Sequence, residues 1–210
     1  MRTPWLTAVL TRGTPLDPGV PWRPPAAESW EAELRQGAVR RVVGDVLVAG
    51  DVAPDAALRA RALALLLPAD VVVLGVAALW VHLGHPLTAP SHVQVAGRGP
   101  GGPVGGVTVL PSRVRPLAGD VVELGALRVS APARALLEAA AVQPHRAPRW
   151  RAALSAAGLL DPGSVARASA AAHGRTGVRV ARRALSLPRS ATVSPPRSAR
   201  DLSPSAAGSP

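Results

Sequence analysis

Six residue types are missing from this chain of 210 residues: cysteine, lysine, asparagine, isoleucine, phenylalanine and tyrosine. Without cysteine, neither disulfide bonds nor thiolate chemistry can contribute. The missing residues other than cysteine have AT-rich codons, so a GC-rich gene accounts for part of the high arginine content. For that reason the net charge of +11 is a weaker indication of nucleic-acid binding than its size implies.

Long apolar runs are also missing. The apolar segment that begins at Leu63 is interrupted by Pro68 and Asp70, and the run from Val71 to Leu83 is shorter than the roughly 20 residues of a membrane-spanning helix. Residues 1–10 lack the apolar centre of a secretory signal peptide. We therefore expect a cytoplasmic protein that does not enter the membrane.

The positive charge is concentrated towards the C-terminus. Residues 1–144 carry 13 arginines and 11 acidic residues, a net charge of +2, whereas residues 145–210 carry 11 arginines and two acidic residues, a net charge of +9. A basic surface that contacts a partner is therefore expected in the last third of the chain.

The apolar residues between Asp70 and His85 predict the centre of the core. Val71 to Leu74 form a continuous apolar run, which is typical of a strand buried on both faces. After Gly75, apolar residues return at the spacing of one helical face. The predicted core includes Val72, Leu79 and Trp80 from this stretch and Leu136 and Leu137 from a later helix.

Several further elements follow from local pattern. A short helix ending at Gly37 precedes a hairpin with Gly44-Asp45 at its turn, an order typical of the end of a winged helix. The next predicted elements are a helix over residues 55–67, four short strands between residues 92 and 129, and a helix from Pro132. Three C-terminal helices are predicted after them, over residues 150–157, 161–172 and 175–187.

The helix from Pro132 contains two details that can be checked. Ser130 is positioned to cap it, and Arg134 and Glu138 lie four residues apart. Such a pair on a helix contributes only a few tenths of a kcal/mol.

Two stretches carry a family resemblance. Residues 71–87 read VVVLGVAALWVHLGHPL, and residues 91–140 include Val129–Leu137, VSAPARALL; these and the segment Ala78–His82 are the most specific. The order resembles the central domain of AbiEi-type antitoxins and transcriptional regulators of high-GC actinobacteria, over residues 30–187. In that family the domain often lies between an N-terminal winged helix and a C-terminal nuclease domain of the very-short-patch-repair type.

The resemblance and the patterns together predict an α+β fold. It consists of a partial winged-helix hairpin, a small mixed sheet packed with helices, and a C-terminal helical segment between disordered termini. The boundaries are 1–27 for a disordered segment, 28–50 for a remnant winged-helix element, 51–143 for an antitoxin-like core domain, 144–187 for a basic helical segment and 188–210 for a disordered tail.

Two departures from the family bear on function. One short helix with three acidic residues is available ahead of the hairpin. A recognition helix with that negative charge would be repelled by the DNA phosphates. The nuclease should need clustered acids and a lysine, but this chain has no lysine and two acids after residue 144. We therefore expect the nuclease domain to be missing and the chain not to be an enzyme.

Three other groups of residues have side chains that could form a site. His82, His85 and His92 lack the further ligands of a metal site, so structural histidines are favoured, and no metal or cofactor is expected. The loop over residues 97–106 does not lead into a helix, which favours a flexible hairpin loop over a phosphate cradle and leaves Arg98 available to a partner. Asp70, Asp120 and Glu123 are interpreted as surface acids beside strands.

Arginines are the best functional candidates. The predicted nucleic-acid contacts are Arg175, Arg179, Arg182 and Arg183 on the last helix and Arg40 and Arg41 on the hairpin. Such contacts would be made mainly to phosphates, with little sequence specificity and strong salt dependence. A solvated arginine face is the equally weighted alternative.

The sequence leaves three functions open. The first is a non-enzymatic antitoxin-like or transcriptional-regulator-like protein, whose partners would be DNA or a cognate toxin protein. The second is a protein-interaction module without DNA binding. The third is a catalytically inactive remnant of a nuclease-fused family.

Overall fold

Short apolar strands and alanine-rich helices alternate along the chain, as the patterns predict. The computed structural model describes residues 17, 19–25, 29–99, 101–172 and 177–187. Its strands are β1 (Val39–Val43), β2 (Val46–Ala49), β3 (Val72–Val73), β4 (His92–Ala96), β5 (Gly102–Val104), β6 (Val107–Ser112), β7 (Val121–Leu124) and β8 (Leu127–Ser130). Its helices are α1 (Glu31–Arg35), α2 (Ala56–Ala64), α3 (Gly75–Leu83), α4 (Pro132–Val142), α5 (Ala147–Ala156), α6 (Ser164–Ala171) and α7 (Val178–Ala184). The α+β class is confirmed.

Strands β3 to β8 form one mixed sheet in the order β5-β6-β4-β3-β8-β7. Two of its pairings, β4 with β6 and β3 with β8, are parallel, and the other three are antiparallel. The central strand β3 is buried on both faces: Val71 and Val73 face the main core, and Val72 and Leu74 belong to a smaller cluster on the opposite face. The unbroken apolar run predicts this placement.

The predicted flexible hairpin loop over residues 97–106 is wrong. It contains the edge strand β5, which pairs with β6 across a turn at Gly105-Gly106, both with positive φ. This Gly-Gly turn suits a tight hairpin. Strands β4 and β6, which the sequence suggested as two arms of that hairpin, instead lie side by side and parallel.

The hairpin β1–β2 turns at Gly44-Asp45, as predicted, and joins the main sheet through its turn. The Asp45 amide donates a hydrogen bond to the Gly105 carbonyl at 2.8 Å. Gly44 has φ +55°, and a Cβ atom there would lie 2.0 Å from the Gly105 oxygen. Glycine is therefore required at this position both by conformation and by space.

Trp22, in the segment 1–27 that is expected to be mostly disordered, contacts the first hairpin. Trp22 exchanges two backbone hydrogen bonds with Leu47 and packs edge-to-face against Trp30, with ring centroids 5.8 Å apart. Residues 1–16, 18 and 26–28, and the predicted tail 188–210, lie outside the described residues. One five-residue helix precedes the hairpin in the described part, and the winged-helix interpretation stays a prediction.

Helices cover one face of the six-stranded sheet in successive layers. Helices α2 and α3 contact the strands, α4 packs on α3, and α5, α6 and α7 pack on α4. The predicted core residues Leu79, Trp80, Leu136 and Leu137 are all buried in this cluster. None of the described helices combines the length and apolarity that a membrane span requires.

Helix α3 ends against a buried arginine. The guanidinium of Arg59, on α2, donates to the Val81 carbonyl at 3.0 Å and to the His82 carbonyl at 3.2 Å, and also to the Pro54 carbonyl. These bonds satisfy carbonyls of the last helical turn, and the positive charge lies at the negative end of the helix dipole.

Two predicted helix starts are corrected. Ser130 does not cap α4, because its hydroxyl donates to Glu138 instead and no side chain caps that helix. The first C-terminal helix begins at Ala147 rather than Trp150, since Pro148 fits in the first turn, where its missing N–H has no helical partner to lose.

A buried network around Glu138 joins three elements. Its Oε2 accepts hydrogen bonds from the Gly75 amide and the Ser130 hydroxyl, both at 2.9 Å, and its Oε1 accepts from Arg134 Nε at 2.8 Å. The Arg134 side chain is only 4% exposed, and its Nη1 lies 3.9 Å from Asp120. The expected weak helix pair is therefore a buried ion pair, for which loss of one partner is costly.

We expect Glu138→Leu to lower the free energy of unfolding by about 3–5 kcal/mol, because it removes the closest partner of the buried Arg134 and leaves Asp120, at 3.9 Å, as its nearest acid. The double variant Arg134→Met with Glu138→Leu should recover at least about 1 kcal/mol of this loss, since it also removes the buried guanidinium that Glu138→Leu leaves behind. Urea denaturation of the two single variants and the double variant measures the coupling. Additive losses would contradict a buried pair.

We expect Trp80→Ala to lower the free energy of unfolding by about 3–5 kcal/mol, because the indole is buried between the helical layers. Val142→Ala is the control: Val142 is 70% exposed at the end of α4. That variant should change stability by less than about 0.5 kcal/mol. Equal losses in the two variants would show that Trp80 has no special place in the core.

Candidate functional site

The predicted arginine face of the last helix is only partly described. Arg175 lies outside the described residues, and helix α7 begins at Val178. Arg179 and Arg183 are exposed and Arg182 is partly buried. The opposite side of the helix is held in the core by Ala181 and Leu185, which are 0% and 2% exposed. Because this side of α7 is fixed to the core, Arg179 and Arg183 on the other side are exposed to solvent in a defined position.

The surrounding helices add to the positive charge. Helix α7 packs beside α5, and Arg151 Nη1 donates to the Leu185 carbonyl at 2.9 Å. Among described residues 144–172 and 177–187 there are seven arginines and one acid, Asp161, so the net charge is +6. Arg167 donates to both oxygens of Asp161 at 2.8 Å, and this hydrogen bonding lowers the pKa of the carboxyl. Asp161 is the one acid in the described part of this segment.

The hairpin arginines are engaged locally. Arg40 Nη1 donates to the Val52 carbonyl at 3.3 Å, and Arg41 lies 3.7 Å from Glu31 on α1. No described contact joins either side chain to helix α7. The two predicted groups of arginines therefore belong to different surfaces.

Four arginines that the sequence analysis did not group together lie around one cleft. The cleft opens on the face of the sheet on which no described α-helix packs, beneath the segment 113–117, and has a volume of about 920 Å³. Its lining includes the exposed arginines Arg98, Arg113, Arg115 and Arg128. We name this feature the sheet cleft.

A signal for part of this cluster was present in the sequence. In β8, Leu127 and Val129 point into the main core, so the alternation of a strand turns Arg128 to the other face. Arg113 and Arg115 alternate in the same way around Val114, which packs on the smaller apolar cluster. Convergence of these residues with Arg98 depends on the sheet order, which local alternation does not specify.

The three acids considered above are divided between two environments. Asp120 is 7% exposed, accepts a hydrogen bond from the Leu117 amide and lies near Arg134, so its interpretation as a surface acid is wrong. Asp70 and Glu123 are exposed and line the sheet cleft. The sequence did not reveal the burial of Asp120 because its partner Arg134 comes from a helix beyond two further strands.

The histidines lie in different environments. His85 and His92 are exposed, and His92 pairs with Ser91. His82 Nε2 lies 2.8 Å from the Ser130 carbonyl and must carry a proton to donate to it. Burial lowers the pKa of His82, the hydrogen bond to Ser130 opposes this shift, and the charge of Arg59 adds to it. Across the described ranges, no three histidine, aspartate or glutamate residues are grouped so that they could hold a metal ion.

Comparisons with known proteins give no match. No protein-family model matches the chain, and no curated protein or solved structure shows significant similarity to it.

The lowered pKa of His82 predicts a pH dependence of stability. Because the folded-state pKa lies below that of the unfolded chain, the unfolded chain binds more protons, and the free energy of unfolding falls as the pH drops through about 6.5 towards the folded-state pKa. We expect His82→Gln, which keeps a donor for Ser130, to flatten this slope, as measured by denaturation at several pH values.

The matched control is His92→Gln, which removes an exposed histidine. It should leave the slope as in the original chain. If both variants keep the full slope, burial of His82 is not its origin.

Proposed function

We propose that the chain is a non-enzymatic regulator of the antitoxin or transcriptional-regulator kind, which binds duplex DNA through phosphate contacts of its C-terminal helical segment. The observation that carries the proposal is the exposure of Arg179 and Arg183 on a helix fixed to the core by Ala181 and Leu185. The resemblance of residues 30–187 to AbiEi-type proteins supports the regulatory role, and a cytoplasmic location belongs to the same proposal.

The physical argument rests on charge and order. Arginine pairs with phosphate through parallel hydrogen bonds, and release of counterions from DNA favours binding by a concentrated positive surface. The described part of residues 144–187 carries a net charge of +6, with its one acid already bound to Arg167. Because these contacts would reach phosphates, we expect weak sequence specificity.

The absence of catalysis is part of the proposal. Lysine and cysteine are missing from the chain, and Asp120 and Glu138, the best-buried carboxylates described, are used in contacts with Arg134. Those contacts join helix to helix and strand to helix, which is a structural use of the two acids.

We expect the double variant Arg179→Gln with Arg183→Gln to lose retention of a short DNA duplex at low salt, because two phosphate contacts disappear. In the original chain, the logarithm of the binding constant should fall linearly with the logarithm of salt concentration. The variant should reduce that slope by about 2, as measured by fluorescence anisotropy.

The hairpin supplies a charge-matched control, Arg40→Gln with Arg41→Gln. It removes the same charge from the other predicted group and should retain DNA nearly as the original chain does. Loss of binding in the hairpin variant alone would transfer the interface to β1. If the original chain does not bind DNA at low salt, the protein-interaction alternative, with a cognate toxin as partner, replaces the DNA-binding proposal.

A further inference from the structure

The sheet cleft has the form of a binding site on a different surface from helix α7. Its floor includes Val72, Ala96 and Val121, which belong to the smaller apolar cluster. The segment 113–117 forms one wall and the arginines form the rim. A volume of about 920 Å³ is within the range of small-molecule sites, and the accessible lining of this cleft is more polar than apolar, which suits a charged ligand.

Within the described part of the chain, no contact engages the arginines of the rim. Among the described residues, Arg98, Arg113, Arg115 and Arg128 make neither a hydrogen bond nor an ion pair. Glu123 is directly opposite Arg128 in the β7–β8 register, and Asp70 lines the same cleft, yet neither acid is paired with a described arginine.

Elsewhere on the surface, arginines near an acid do pair with it. Arg23 binds Asp45 at 2.9 Å, and Arg167 binds Asp161 at 2.8 Å. The cleft therefore keeps guanidinium donors available although acids are close by.

The lining argues against two other occupants. None of the residues that line the cleft is aromatic, whereas sites for single-stranded nucleic acid stack bases on aromatic rings. The C-terminal residues 188–210 carry three arginines and one aspartate, so this segment would be repelled by the rim. A small anion with hydrogen-bond acceptors in several directions suits the donors best.

We propose that the sheet cleft binds a small phosphate-bearing molecule, with its phosphate groups between Arg98, Arg113, Arg115 and Arg128. The planar guanidinium matches phosphate oxygens in bidentate geometry, and several arginines neutralise a multiply charged group. Glu123 and Asp70 lower the affinity for such an anion and so limit binding to ligands with more than one negative charge.

Isothermal titration of the full chain with inorganic pyrophosphate tests this site. We expect saturable binding with one site per chain. Arg113→Gln with Arg128→Gln should weaken it by about tenfold or more, because hydrogen bonds to a charged group are lost. Glu123→Gln should tighten binding, because a carboxylate on the rim becomes neutral, and this gain cannot result from a damaged fold.

The α7 variant Arg179→Gln with Arg183→Gln is the charge-matched control and should bind pyrophosphate as the original chain does. Equal weakening in the two double variants, or no binding by the original chain, would overturn the proposal. Equally tight binding of malonate would show a carboxylate site instead of a phosphate site.

A DNA-binding measurement on the same variants distinguishes this proposal from the function proposed above. The Arg113, Arg128 variant should retain duplex DNA, and DNA should not displace pyrophosphate from the original chain. Displacement that depends on Arg113 and Arg128 would identify the cleft as a nucleic-acid surface and reject a small ligand. Loss of DNA binding in the α7 variant with unchanged pyrophosphate binding would leave both proposals standing.

Discussion

The carboxylate of Glu138 is the contact on which the layered arrangement depends. Three donors from different parts of the chain converge on it: the amide at the start of α3, the hydroxyl at the end of β8 and the guanidinium of Arg134 on its own helix. The Gly75 amide and the Ser130 hydroxyl fix α3 and β8 relative to α4, which in turn supports the three C-terminal helices. A negative charge near the N-terminus of α3 is also favoured by the helix dipole. One side chain therefore couples the sheet, the first helical layer and the second.

This arrangement divides the molecule into two unlike faces. All the described helical layers are stacked on one side of the six-stranded sheet, and α7 lies in the outermost layer. On the other side, the described residues form a small apolar cluster with the segment 113–117 over it. Surface arginines are present on both sides of the sheet. Those on the helical side lie on the short helix α7, and those around the sheet cleft lie on strand ends and connecting loops. The two proposed ligands accordingly differ in size, an extended duplex for the helical side and a small anion for the cleft.

Elements with strong local signals could be predicted from the sequence. The β-branched run before Gly75, the Gly44-Asp45 turn and the apolar face of α4 led to the observed strand, hairpin and helix. The features that could not be predicted from the sequence depend on contacts between residues that are distant along the chain. Arg134 and Asp120 looked like surface charges because nothing in the neighbouring sequence shows that Arg134 on α4 lies close to Asp120 before β7. The parallel pairing of β4 with β6 was missed because β5, a three-residue strand rich in glycine and proline, resembles a loop. The α7 arginines were identified from helical spacing, but the sheet cleft required the strand order.

The close approach of Gly44 to Gly105 has a consequence for how the chain can be divided. The turn of the first hairpin lies directly on the turn between β5 and β6, and Val42, Val43, Val46 and Val48 fill part of the main core. A fragment that starts at residue 51 would expose this apolar surface to water and leave the Gly105 carbonyl without the Asp45 amide. Recombinant fragments and fusion points should therefore begin before Trp22, whose backbone extends the hairpin by one further bridge. The hairpin therefore covers part of the hydrophobic core and cannot be removed without exposing it.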